Sequence, residues 1–411
     1  MVHTASIVYP SPASWLGIGR ERFAGSPVPP TNTVPISGTY EPEDTPEFLR
    51  DTNLRAVQAG LFGETLGPQS STFSFSGLSF LDTDGYWLDN VFGDLSTTSN
   101  GTLGTAQVLT NALSVGDTSL AVAVSLGAVV TGSVIQIADG AASEIVIATA
   151  GSTGTVVNFT GTPCRFPHTT SATAALQTAA SNYSHTFAQL NSGSGQPPVH
   201  TLTDFTGITA GVGARSYASA CVASLDFTGN AGEALSRSVS GLGFLSAPAA
   251  SAPVANPTSA PPVANWRCTV SVGGTPVYSV GDWSCSLSRD LAVYFSAQGG
   301  LAPYVIARGN LSATFSLDYT VAVSEAPLAQ LLSGGLTPLV LTLSNGLSGA
   351  SALSITITAS AAKTVAAKPV RGAEVIGFST GWEAVANSTD VGGSGGLGPC
   401  TVTLVNAIAT F

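Results

Sequence analysis

Charge is what this sequence has least of. Charged residues make up 9% of 411, against about a quarter in an ordinary soluble domain. Lys and Arg together number 13, and the net charge is −11. No run of basic residues occurs, which excludes a protein that grips nucleic acid by its phosphates, since that affinity comes from clustered cations. It leaves room for one that nucleic acid must pass without sticking. A surface so poor in charge suits a chain that buries much of its outside against copies of itself, because charge keeps monomers apart.

Catalytic and redox motifs are missing too. Histidines number four, and neither a GxSxG elbow nor a Walker pattern occurs. "GSGGLG", residues 393–398, fits GxGxxG, but it precedes Pro399 and a strand where a dinucleotide site needs a helix. His185 and His200 are placed to approach one another, yet two histidines without a third ligand do not make a metal site. The five cysteines, Cys164, Cys221, Cys268, Cys285 and Cys400, are odd in number and form no CxxC. They read as reduced, buried small hydrophobes, with a Cys268–Cys285 bridge left open. No enzymatic activity, cofactor or metal is expected. The opening "MVHTASIVYPSPASW" has neither the basic start nor the apolar core of a signal peptide. The longest uncharged stretch, residues 118–138, alternates around "SLAVAVSL" and reads as two strands and a turn, not a membrane span.

What is abundant is turn and strand material. Gly 46 and Pro 24 punctuate runs of alternating Val, Thr, Ile, Leu and Ser, so the chain is mainly β. Residues 1–35 are Pro-rich and read as an extended N-terminal arm. Residues 101–180 nearly lack charge and read as an inserted all-β module with its own small core. "HTFAQLNSGSGQPPVHTLTDF" reads as a hairpin, and "ASLDFTGNAGEALSRSVSG" as a strand pair turning at "GNAGE". Residues 246–265 are an Ala/Pro linker. Trp87, Leu88, Val91 and Phe92 stand at helical spacing.

The pattern is spelled twice. "GPQSSTFSF" at 67–75 returns as "GNLSATFSL" at 309–317. Gly67, Thr72 and Phe73 thereby match Gly309, Thr314 and Phe315. Arg50-Asp51 is matched with Arg289-Asp290, and the segment around Trp87 and Val91 with that around Leu328 and Leu332. "TFAQLNSG" is then set against "LVLTLSNG", "HTLTDFT" against "SITITAS", and "CVASLDFTGNAGEAL" against "EVIGFSTGWEAVAN". The expected domains are 36–100 with 181–245, and 266–411.

"SWLGIGRERFAGSPVPPTNTVPI", "QSSTFSFSG", "HTFAQLNSGSGQPPVHTLTDF" and "WEAVANSTDVGGSGGLGPCTVTLVNA" resemble the tail tube proteins of long-tailed, siphovirus-type phages, those of actinobacterial hosts above all. The resemblance spans roughly 1–100 and 181–411 and omits the insertion. It implies two tandem tube-type β-sandwich folds with short flanking helices. It also implies homotrimeric rings with approximate sixfold symmetry, stacked on a tape measure protein between tail terminator and tail-tip proteins. Genomic double-stranded DNA would pass through without tight binding. The location implied is the virion tail, after assembly in the host cytoplasm and without a membrane. A baseplate hub, a capsid decoration protein and a glycan-binding surface protein are the alternatives. Ser70, Thr72 and Ser74 would face the channel, and Phe73 and Phe75 a core. Glu41, Glu43, Asp44, Glu47 and Asp51 are candidate lumen-facing acids, as are Asp82, Asp84, Asp89 and Asp94. The module would sit on the outer wall.

Overall fold

The computed structural model describes residues 14–37, 40–53, 59–206, 213–249, 254–297, 300–320, 326–371 and 374–411. The first 13 residues of the expected arm and part of the Ala/Pro linker lie outside them. The fold is mainly β, built from antiparallel pairs.

In chain order, β1 (Trp15–Arg20) and β2 (Asn32–Val34) pair, so the expected arm carries two strands. Its Leu16 and Ile18 alternate into the core with no exposure. Next come β3 (Glu41–Asp51), β4 (Gly63–Leu78), α1 (Asp84–Phe92) and β5 (Gly93–Ser99). The insertion supplies β6 (Thr102–Leu103), β7 (Gln107–Val108), β8 (Ser119–Ala121), β9 (Val134–Ala138), β10 (Glu144–Ile147), β11 (Val156–Asn158) and β12 (Thr173–Ala179). These close on their own apolar cluster, including Ile135, Ile137, Val146, Val157 and Phe159. The uncharged stretch is indeed two strands, but β8 pairs with β11 while β9 pairs with β10 and β12.

The chain continues through β13 (Tyr183–Gln189), β14 (His200–Phe205), β15 (Ala214–Gly229), β16 (Ser236–Gly243) and β17 (Ala247–Pro248). Then follow β18 (Cys268–Val272), β19 (Thr275–Val277), β20 (Val280–Tyr294), β21 (Val305–Tyr319) and α2 (Ala326–Ser333). The last strands are β22 (Leu336–Ser344), β23 (Ser354–Arg371), β24 (Ile376–Ala384) and β25 (Thr401–Asn406).

The expected hairpin at 185–205 does not form. β13 pairs with β5 and β25, whereas β14 pairs with β1 and β15. Alternation identifies a strand, not its partner. The connecting Pro197 and Pro198 instead offer their carbonyls to Arg308. The inserted module therefore sits at the end of a β5–β13 ladder.

Two strands change sheets midway. The first part of β15 pairs with β14 and β17, and its last part with β16 and β20. Ser219 marks the change, with φ +51°. Its amide donates to Glu21 Oε1 at 2.7 Å, and its hydroxyl accepts from Gly25 N at 2.7 Å. β23 pairs with β22 and β25 in its first part and with β24 in its last. The main core lies between the resulting layers and includes Phe75, Trp87, Phe187, Leu225, Leu287, Phe315 and Trp382.

Candidate functional site: one polar face and two free edges

Strands hydrogen-bond in the unbroken order β3–β4–β16–β15–β20–β21–β24–β23. One face of this sheet is polar. Ser74, Ser240, Ser224, Ser288 and Ser312 stand opposite one another from β4 to β21. The next row runs Ser76, Ser238, Asp226, Ser286, Thr314, Glu383 and Lys363. The reverse face buries Phe75, Val239, Leu225, Leu287 and Ala313 in one such row. This is the period-two division of a half-wet antiparallel sheet. Gly241 is required opposite Phe73, because a Cβ there would lie 2.1 Å from Cys221 O and 2.5 Å from the Phe73 ring.

The first four strands and the last four share their irregularities. β3–β4 shifts register between Pro46 and Phe48, beside Gly67; β20–β21 shifts between Arg289 and Leu291, beside Gly309. β15–β16 shifts between Val222 and Ser224, and β23–β24 between Thr364 and Ala366. Phe73 lies opposite Pro42 and Gly241, and Phe315 opposite Cys285 and Trp382; Thr72 and Thr314 fall on the polar face. By this register β15 corresponds to β23 and β16 to β24, which moves the sequence matching beyond the helix by one strand. The β5 and β13 arms of the insertion displaced it. Arg289-Asp290 corresponds to Pro46-Glu47, not to Arg50-Asp51. Arg50 instead faces Glu64 at 3.2 Å.

The acids of β3 divide by face. Glu43 lies opposite Thr72 on the polar side, and the alternation puts Glu47 and Asp51 there as well. Glu41 lies opposite Ser74 in the register, and its side chain is outside the described residues. Asp44 faces the other way. It accepts from Ser246 N at 2.8 Å and Ser246 Oγ at 2.5 Å, with Arg215 3.8 Å away.

The helix acids are not lumen groups. All nine residues of α1 are buried. Asp84 pairs with Arg237 and accepts from Ser79. Asp89 accepts from Arg165 Nη1 at 2.8 Å, with Arg20 Nε at 3.3 Å. Asp82 accepts from Thr258. Asp94 is cradled by the Gly-rich loop: Gly393 N donates at 3.2 Å, Ser394 N at 2.7 Å and Ser394 Oγ at 2.5 Å. The "GSGGLG" segment thus uses its amides on the chain's own carboxylate, as backbone nests do with anions.

His185 and His200 are held separately. Thr97 Oγ lies 3.0 Å from His185 Nδ1, and Ile408 O lies 2.8 Å from its Nε2. Asn90 Nδ2 donates to His200 Nδ1 at 2.9 Å. The Phe411 ring contacts His185 and Tyr86, and Tyr86 contacts His200. Burial pushes the two imidazoles down to about 4 and about 3. All five cysteines are free thiols, so Cys268 and Cys285 are not bridged. Glu144, Cys164 and His168 bring ligand-type atoms within 4.8 Å of one another. Glu144 already accepts from Arg165 N at 2.9 Å and lies 2.6 Å from His168 Nε2. No helix among the described residues is long and apolar enough to cross a membrane.

Sequence reasoning singled out Arg289 only as a marker of the repeat and missed Arg308. Arg289 donates to Val91 O at 2.6 Å, and Arg308 to Asn90 O at 3.0 Å. These are carbonyls at the C-terminal end of α1, where cations are favoured. The β20–β21 hairpin is thereby tied to the helix of the first half.

The family described as phage tail tube protein matches residues 16–396, and the chain belongs to that family. Among curated proteins nothing matches. The polar face and the ordered sheet behind it are therefore features of a structural tail component.

Proposed function

We propose that this chain is a major tail tube protein carrying two tube folds, and that three copies close into a ring with approximate sixfold symmetry. The first fold is built around β3, β4, β16 and β15, the second around β20, β21, β24 and β23. The eight strands form one arc of an inner wall. Their Ser/Thr face lines the bore, and double-stranded DNA passes over it. Few cations face that way, so phosphates find little to hold them. The rings stack around a tape measure protein and end on terminator and tip proteins, and the chain performs no catalysis.

The observation that carries this reading is the unbroken ladder from β15 to β20, which joins the two folds through their strand edges. A free sheet edge is a template for another strand. Among the described residues, β3 at one end and β23 beyond residue 363 at the other each have a single partner strand. The module's contacts support its outer placement. Arg165 reaches Asp89, and Thr97 N donates to Ser143 O at 2.9 Å, both away from the serine face. Electron microscopy of the purified chain, alone and with tail-tip complexes, is the test. Rings or tubes with three chains per ring are expected. A chain that stays monomeric under all these conditions, or six chains per ring, overturns the reading.

A further inference from the structure

We propose that the contact between the two halves of this chain is repeated between chains, with β23 of one copy adding to β3 of the next. Lys368 would then lie opposite Glu43, and the β3–β4 hairpin would cover α2. The proposal rests on the ring reading above and adds its register and its contacts.

The template is inside the molecule. In the β15–β20 ladder, Ser224 lies opposite Ser288, Asp226 opposite Ser286, and Phe227 opposite Cys285. The shared register shifts translate each position. Ser224, Asp226 and Phe227 become Ala366, Lys368 and Pro369 on β23. Ser288, Ser286 and Cys285 become Thr45, Glu43 and Pro42 on β3. Lys368 therefore meets Glu43 on the polar face. Pro369 meets Pro42, so neither strand leaves an N–H donor unpaired at that rung.

Charge supports the same pairing independently. Lys363 and Lys368 are the only lysines in the sequence, and with Arg371 they all fall on β23. Glu41, Glu43, Asp44, Glu47 and Asp51 all fall on β3. In so sparsely charged a chain, the free part of β23 carries Lys368 and Arg371, and the free edge of β3 carries five acids against Arg50. Opposite charges across strands stabilise, and like charges destabilise. Strand addition in this register is favoured, and β3 against β3 or β23 against β23 is opposed.

The helices carry the argument to a second surface. α1 is buried throughout, partly because the β20–β21 hairpin lays Arg289 and Arg308 on its last carbonyls. Among the described residues α2 has no such cover. Its one buried residue is Pro327, and Leu332 is 78% exposed. On β3–β4 the positions corresponding to Arg289 and Arg308 are Pro46 and Leu66, beside the exposed Phe48 on the same face. An arginine-to-carbonyl contact within the chain becomes an apolar contact between chains.

The test is a charge exchange in the full chain, read by ring yield in sedimentation and negative stain. Glu43→Lys and Lys368→Glu should each lower ring yield by about tenfold or more, because each sets like charges opposite one another. The double variant should recover most of the wild-type yield. Leu332→Glu should lower ring yield while leaving the monomer's thermal midpoint unchanged. Glu43→Cys with Lys368→Cys, oxidised after assembly, should give covalent species no larger than the closed ring. If the wild type forms rings but neither single exchange changes the yield, or the double variant is no better than the singles, this junction is wrong and the ring reading stands. A cysteine pair that closes within one chain also overturns it. If the wild type forms no rings, the ring reading fails first, and the junction with it.

Discussion

Arg165→Met removes the guanidinium that ties the inserted module to α1 while keeping most of the side-chain volume. Its Nη1 donates to Asp89 at 2.8 Å, and Asp89 has no solvent exposure. Burial pushes that carboxyl up, but Arg165 and Arg20 outweigh burial and hold it below the ordinary 3.8. After the substitution Asp89 keeps Arg20, whose Nε lies 3.3 Å away. Breaking a buried ion pair from one side costs about 3–5 kcal/mol, and the remaining cation puts this case near the lower end, about 3 kcal/mol. With unfolding entropy of about 2 cal/mol/K per residue over 411 residues, that lowers the thermal midpoint by about 3–4 °C. Calorimetry of the unassembled protein at neutral pH reads it directly. A carboxyl held low contributes stability above its unfolded value and loses it as pH falls through the folded one. The gap between wild type and variant should therefore be full at pH 7 and close below 3.8. Adding Asp89→Asn removes the under-compensated charge and should recover most of the loss, since Arg20 is partly exposed and can reach water, while the Arg165 Nη2 contact to Phe411 O stays lost. An unchanged midpoint in Arg165→Met, or no rescue by Asp89→Asn, would refute the reasoning.

His185 and His200 are buried neutral, so below about pH 6.5 the unfolded chain binds protons that the folded chain does not. Stability should fall by about 1.4 kcal/mol per pH unit for each imidazole as pH drops toward their folded values; a flat denaturation midpoint from pH 7 to 4.5 contradicts this. Phe73→Ala or Phe315→Ala should cost about 3–5 kcal/mol, measured by denaturant titration, because each ring is almost wholly buried. Deleting 103–178 together with Asp89→Asn should leave tubes visible by cryo-microscopy with less mass on the outer wall, and loss of tubes would place the module elsewhere.

The doubled strand was legible because it is local. "STFSFS" and "SATFSL" alternate cleanly, and alternation alone divides a strand into wet and dry faces. The partners of the strands were not legible, because pairing is set by tertiary packing. β13 carries the same alternation as the tube strands, so its "TFAQLNSG" was counted into the repeat. Arg50-Asp51 repeats the letters of Arg289-Asp290 but occupies a different rung. The burial of Asp84 and Asp89 did have a signal. "YWLDNVF" puts large apolar side chains on every side of a short helix, and such a helix is buried all round. An acid within it must then be paired or cradled.

The scarcity of cations acquires a meaning from where they are placed. Arg237 holds Asp84, Arg165 and Arg20 hold Asp89, and Arg289 and Arg308 cap the helix end. All of these contacts converge on α1, the element where the first half, the second half and the insertion meet. Guanidinium groups suit this use, since they satisfy several carbonyls or a carboxylate at once and remain charged when buried. Of the two lysines, compact and strongly hydrated, Lys363 lies between Leu336 and Glu383, while Lys368 stands on the solvent-facing part of β23 whose one partner strand among the described residues is β24. Arginine thus supplies the internal ties, while the outer edge carries Lys368 with Arg371. That division predicts that Lys368→Arg is tolerated in ring formation, where only charge and reach matter. Arg308→Lys is not tolerated, because one ammonium cannot reach Asn90 O, Pro197 O and Pro198 O together.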